Sequence, residues 1–224
     1  MQGRIYFPGN PWPAGHALEA LVWSGRVDGA RGLVFDLHLQ TAKYYAEGEG
    51  LEGDSDSDFR SPIVWSNYHS CSLSSTKWDS NGWGVGTPEA PFAFSSLAGR
   101  VLVADTLDSP ELDVNDVNER AFHIYLLGHD DVVEHRFLFQ PVGEHWNLEW
   151  KGWIALAYAG DYAFRYGFRA EATGLEFSGF RVDDALSDDE AHALFARCCD
   201  EAAAFKLTLR DGKRWFVPNE ATTA

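Results

Sequence analysis

The stretch that most constrains this chain is 146–182, WNLEWKGWIALAYAGDYAFRYGFRAEATGLEFSGFRV. Trp146, Leu148 and Trp150 alternate with Asn147, Glu149 and Lys151. A period of two sets the indoles on one face of a strand and the polar groups on the other. The run 153–159 follows Gly152 and ends at Gly160-Asp161. A Gly-first dipeptide suits a type II′ hairpin turn, whose first position takes a positive φ. The return strand carries Tyr162, Phe164, Tyr166 and Phe168 on one face and Arg165 and Arg169 on the other. Thr173-Gly174 then turns the chain into a third strand over 175–182. So much aromatic surface on one side of a sheet must be buried against a second layer or offered to a ligand.

The remaining sequence extends the β pattern. Residues 4–7 read as a short edge strand stopped by a Pro/Gly cluster, 18–27 as a strand, and 32–46 as a longer one with a bulge near Thr41. Strands are also expected over 63–73, 92–97 and 101–107, and a hairpin joins 121–127 to 132–140 across Gly128-His129-Asp130-Asp131. Ser187-Asp188-Asp189-Glu190 is a capping box, and Ala191, Leu194, Phe195, Cys198, Ala202 and Phe205 follow at helical spacing. Asp211-Gly212 marks a closing hairpin over 207–217. Residues 47–58 and 108–119 are acidic loops.

The fold expected from this pattern is mainly β, an antiparallel two-sheet β-sandwich of about a dozen strands with one amphipathic C-terminal helix. No Pro/Ser linker divides two apolar blocks, so residues 1–224 read as a single domain. Leu21-x-Trp23-x-Gly25-x-Val27 echoes Leu148-x-Trp150-x-Gly152-x-Ile154, which raises an internal duplication of roughly 15–107 and 121–217. Any two alternating strands share part of such a pattern.

Composition bounds the function. A formal net charge of −16 argues against a nucleic-acid binder, which needs clustered Lys and Arg to neutralise phosphates. It suits solubility or a basic protein partner. The start of the chain lacks a charged-then-apolar leader, and no run of 18 apolar residues occurs, so no membrane partner is expected. Cys71 and the vicinal pair Cys198-Cys199 make an odd count and no disulfide framework, which points to a reducing, cytoplasmic setting. No Walker A, dinucleotide or His-Glu-x-x-His motif is present, and no cofactor is expected. A long aromatic sheet can also hide its surface by forming a homodimer.

Three groups of residues invite chemistry. Trp78, Asp79, Asn81 and Trp83 pair indoles with short polar side chains, a combination that holds sugars by stacking and by hydrogen bonds to hydroxyls. The same indoles could instead plug one end of the fold. Asp36 and His38 share one strand face, and with His69 and a Ser from the run 68–72 they could form a hydrolytic cleft. A solvated polar face explains them better. Asp54, Asp56 and Asp58 have the one-residue spacing of a calcium loop, but Phe59 stands where the turn glycine belongs and Trp65 where the bidentate Glu belongs. A solvated acidic loop fits them better. The leading expectation is a non-catalytic binding module, with a glycan as one candidate ligand. The alternatives are an interaction or inhibitor protein for a basic partner, and a hydrolase.

Overall fold

The computed structural model describes residues 1–47, 55–78, 80–109, 116 and 119–219. Among them thirteen strands form one hydrogen-bonded network. They are β1 (Gln2–Tyr6), β2 (His16–Asp28), β3 (Gly32–Thr41), β4 (Ser72–Ser74), β5 (Trp83–Gly86), β6 (Val101–Ala104), β7 (His123–Tyr125), β8 (His129–Val142), β9 (His145–Ala155), β10 (Tyr166–Leu175), β11 (Phe177–Val182), β12 (Phe205–Arg210) and β13 (Lys213–Pro218). Two α-helices accompany them, α1 (Pro62–Ser66) and α2 (Asp188–Cys198).

Eight strands, β1-β2-β3-β4-β7-β8-β9-β10, pair antiparallel in that order, and β10 returns to β1. The sheet therefore closes into a barrel. The expected two-sheet sandwich is wrong. Alternation reports that one face of each strand is buried, and it reads the same whether that face meets a second sheet or its own sheet rolled up. The N-terminal segment decides the matter. Expected at an edge, β1 lies between β10 and β2 and closes the wall. Five strands stand outside the barrel: β5 on β3, β6 on β8, and β11, β13 and β12 running outward from β2.

An eight-stranded barrel leaves an interior that side chains fill or one small ligand occupies. Here rings pack it. Trp23 stacks on Phe139 at 4.5 Å, and Trp150 lies against Phe137 at 5.2 Å and Phe122 at 5.1 Å. The echo between β2 and β9 has a packing reason at its glycines. A Cβ on Gly25 would lie 2.4 Å from the Phe180 ring, and one on Gly152 would lie 2.6 Å from the Phe168 ring.

One end of the barrel is plugged by Trp65 from α1. Its ring stacks on His16 and meets Tyr44 edge-on, and its Nε1 donates to the Phe59 carbonyl at 2.9 Å. The other end carries a second aromatic layer beneath α2, where Phe195 stacks on Phe216 at 4.2 Å and meets Phe180 and Phe205 edge-on. The capping box of α2 is formed as expected, with Ser187 Oγ accepting from Glu190 N and Glu190 Oε2 accepting from Ser187 N.

Other local expectations change. Residues 63–73 do not form one strand: Ser61 caps α1, and Pro62 takes its first turn, where a missing N–H costs nothing. Residues 92–97 hold a 3-10 turn, Phe94–Ser96, and no strand. Gly160 is in the left-handed region (φ 78°, ψ 15°) and ends the 3-10 turn Ala157–Ala159, so Tyr162 and Phe164 lie in a connection before β10 begins. Gly174 sits at a bulge inside β10, and β11 leaves the ribbon to run parallel to β2. The bulge foreseen near Thr41 falls on the partner strand, at the step between Leu18 and Ala20.

Candidate functional site

The outer wall at the β7–β8 hairpin carries a row of aromatic side chains. Ile124 and Leu126 point into the core, so by alternation Tyr125 points out. His129 is directly opposite Tyr125 in the ladder and shares its face. Their ring centroids are 5.4 Å apart. Trp78 meets His129 at 5.5 Å, and Tyr68 meets Tyr125 at 6.4 Å, every contact edge-to-face. The four rings form a corrugated band, Trp78–His129–Tyr125–Tyr68, in which Tyr125 and His129 stand on the wall and Trp78 and Tyr68 reach it from turns.

Two local devices hold the band. Trp78 adopts a φ of +56°, a conformation that a bulky residue keeps only when its surroundings impose it. Gly128 has a φ of +140°, and a Cβ there would lie 2.4 Å from Cγ of Tyr158, so this glycine permits both the hairpin and the seating of Tyr158 over it. Asp130 ties the two together. Its carboxylate accepts from Leu127 N at 3.0 Å and from Tyr158 N at 3.3 Å. Burial raises its pKa above the ordinary carboxylate value, and those two N–H groups act against the rise.

The structure separates the residues proposed for sugar binding. Trp78 is 38% exposed, whereas Trp83 is 7% exposed, stacked on Phe137 at 4.4 Å and edge-on to Phe35. Trp83 is thus a core residue. Asn81 gives its carbonyl to Arg26 and Arg31. Asp79 lies outside the described residues. Tyr68, Tyr125 and His129 were missed by the sequence reading; their signal was outward phase on the β7–β8 hairpin, visible once Ile124 was placed inside.

The hydrolytic cleft is not assembled. Asp36 is buried, and its carboxylate accepts from Arg26 Nε at 2.8 Å and from Ser75 Oγ at 3.3 Å. Burial raises its pKa, against the pull of Arg26. His38 shares that outer face, paired with Ser74; among the described residues its buried Nδ1 has no partner, and burial lowers its pKa. His69 is exposed in the loop before β4. Among the described residues no hydrogen bond joins Asp36, His38 and His69 to one another. A serine and a histidine do meet nearby, Ser80 Oγ and His123 Nδ1 at 2.6 Å. The same hydroxyl lies 2.5 Å from the Lys77 carbonyl and 3.3 Å from that of Ser74, so it serves the turn that carries Trp78.

For the calcium loop, Asp56 and Asp58 are exposed, Asp58 opens a 3-10 turn, and Asp54 lies outside the described residues. Among the described residues no three His, Cys, Asp or Glu side chains converge as a metal site. Cys71, Cys198 and Cys199 are all buried and unbridged. No helix among the described residues is long and apolar enough to cross a membrane.

One buried polar network lies in the lumen. Trp150 Nε1 donates to His135 Nδ1 at 3.1 Å, which fixes the neutral ring proton on Nε2. That nitrogen faces Asp105 Oδ2 from 3.6 Å. The Asp105 carboxylate itself accepts from the backbone N–H groups of Ala121 and Phe122. With Nδ1 occupied by an indole, His135 has no free lone pair to act as a base. The network is structural.

Comparison with protein-family models, with curated proteins and with solved structures finds no match to this chain.

Proposed function

We propose that this protein is a non-catalytic binding module for carbohydrate, and that the ligand lies along the band Trp78–His129–Tyr125–Tyr68. The observation that supports this reading is the unbroken ring-to-ring contact of four side chains, with Trp78 partly open to solvent, on the outer wall of a closed barrel. An indole or phenol face presents apolar area for the C–H side of a sugar ring. The strands beneath Tyr125 and His129 set those two rings in place before binding, so little of their side-chain entropy is lost on association. Exposed groups at the margin, Lys77 and Asn67, supply donors and acceptors for hydroxyls.

The test is affinity electrophoresis through a panel of soluble neutral polysaccharides, followed by titration with the one that retards the protein. Trp78→Ala and Tyr125→Ala should each weaken binding about tenfold or more, with melting temperatures within about 2 °C of the parent, because both side chains sit at the surface. Trp83→Ala serves as the contrast: removing its buried ring should cost about 3–5 kcal/mol of stability. A panel that retards nothing, or a Trp78→Ala protein that binds as the parent does, would remove the carbohydrate reading.

A further inference from the structure

A row of basic side chains lies on a different part of the outer wall. Arg136, Lys151 and Arg169 occupy directly opposed positions on the adjacent strands β8, β9 and β10. Tyr6 of β1 continues the row opposite Arg169. Like charges opposed across a ladder repel by a few tenths of a kcal/mol or more. Three in a row are therefore unexpected in a chain with 34 acidic and 18 basic residues.

The row is the floor of a groove of about 710 Å³. Trp12 and Tyr6 line one flank, and Trp153 lines the other. Trp153 is 48% exposed, and its ring passes over Gly167, where a Cβ would have only ordinary contact with it.

The charged side chains that line this groove are Arg136, Lys151, Arg169 and one carboxylate, Glu134. Among the described residues Arg136 makes no ion pair. Lys151 and Arg169 are paired with Glu149 and Glu171 along their own strands, exposed pairs that a ligand can replace at little cost. Of the side-chain acceptors in the lining, Glu134 Oε1 takes the Leu107 N–H at 2.7 Å and Asn10 Oδ1 takes the Trp12 N–H at 3.1 Å. Three cations against the single Glu134 carboxylate of the lining favour an acceptor-rich anion, and two guanidinium forks flanking an ammonium suit phosphate oxygens. The open indole of Trp153 adds a face for a ring.

We infer that this groove binds a phosphorylated small molecule whose phosphates lie on Arg136, Lys151 and Arg169 and whose ring lies against Trp153. The site is separate from the aromatic band, and the inference does not depend on the carbohydrate reading. Calorimetric titration with pyrophosphate, ADP and glucose 6-phosphate tests it. The base-bearing and sugar-bearing arms show which kind of ring is preferred. At least one ring-bearing phosphate should bind about tenfold more tightly than pyrophosphate. Arg136→Gln should weaken every arm about tenfold. Trp153→Ala should erase the advantage of the ring while leaving pyrophosphate affinity unchanged, and Trp78→Ala should change nothing. Both substitutions are at exposed positions, and unchanged melting temperatures will show that the fold is kept. Failure of all three compounds to bind at about 1 mM would overturn the inference. So would affinities that are indifferent to Arg136→Gln.

Discussion

At the scale of single residues, His135 and Asp105 give the barrel a pH dependence whose sign can be worked out. Burial, with Arg120 adding to it, drops the His135 pKa to about 3. Burial lifts that of Asp105 to about 6, against two backbone N–H groups and Arg120. The unfolded chain titrates near the ordinary values of 6.5 and 3.8. His135 therefore contributes stability that is complete above 6.5 and lost as pH falls toward 3. Asp105 contributes stability that is complete below 3.8 and lost as pH rises through 6. Between about 3.8 and 6 the two slopes oppose one another. Asp105→Asn keeps an oxygen for one of the Ala121 and Phe122 N–H groups, sets an amide NH2 against the other at a pH-independent cost, and removes one slope. Its urea midpoint should fall more steeply between pH 7 and 4.5 than that of the parent. His135→Gln should shift the dependence the other way, toward greater stability at pH 4.5. Parallel curves for the parent and both variants would show that these groups do not control the acid limb. None of this is legible in the sequence, where His123 and His135 simply fall on the two arms of one hairpin. Their opposite environments come from a bulge between Val133 and Arg136 that turns His135 inward. The indoles show the same limit: Trp78 and Trp83 sit in one loop sequence, and only the pairing of β5 with β3 carries Trp83 into the core.

At the scale of elements, local chemistry was readable wherever the determinant was local. The capping box of α2 and the Asp211-Gly212 turn, with φ values of +49° and +73°, are formed as their residues require. Ser61-Pro62 was an equally local helix signal, obscured by the apolar alternation that follows it. What alternation could not show was where a strand stops. Tyr162 and Phe164 continue the phase of β10 but lie in the connection before it, because Gly160 and the Asp161 carboxylate, which accepts from Ala163 N at 3.3 Å, bend that segment away. The β7–β8 hairpin rests on one position that tolerates no side chain. Gly128→Ala would put a Cβ into the Tyr158 ring and force a φ that L-residues avoid. A loss of about 2–3 kcal/mol in urea unfolding is expected. Any polysaccharide affinity should fall with it, since Tyr125 and His129 flank the turn. A neutral Gly128→Ala would mean that Tyr158 is free to move aside.

At the scale of the whole molecule, the step from sheet to barrel depends on pairings that no local pattern records. β1 joins residues 2–6 to residues 169–173, far along the chain. The register along β10 covers five positions, but toward β2 only Arg4↔Ala17 and Ile5↔His16 are paired. This seam is as short as the β7–β8 pairing, but the β7–β8 strands are held by a tight turn at 126–128, whereas the longer loop 7–15 joins β1 to β2. Arg4 braces the seam by donating from Nε to the Ala14 carbonyl at 2.8 Å and from Nη2 to that of Gly15 at 2.7 Å, tying the β1–β2 loop to the strand. A sandwich edge would leave alternate N–H groups of β1 facing water, whereas a closed barrel pairs both sides of the strand. Hydrogen exchange separates the two. Amides of Arg4, Ile5 and Tyr6 should be protected nearly as well as those of β9, and far better than those of β12, which has a neighbour on one side only. Because the seam is short, it should also open before the rest of the wall. Arg4→Gln should therefore speed exchange at Ile5, His16 and Ala17 well ahead of any change at Trp150 or Lys151, for a global loss of about 1 kcal/mol. Exchange in β1 as fast as in β12 in the unaltered protein would contradict closure. Uniform acceleration in Arg4→Gln would show instead that the barrel opens only when the whole molecule unfolds.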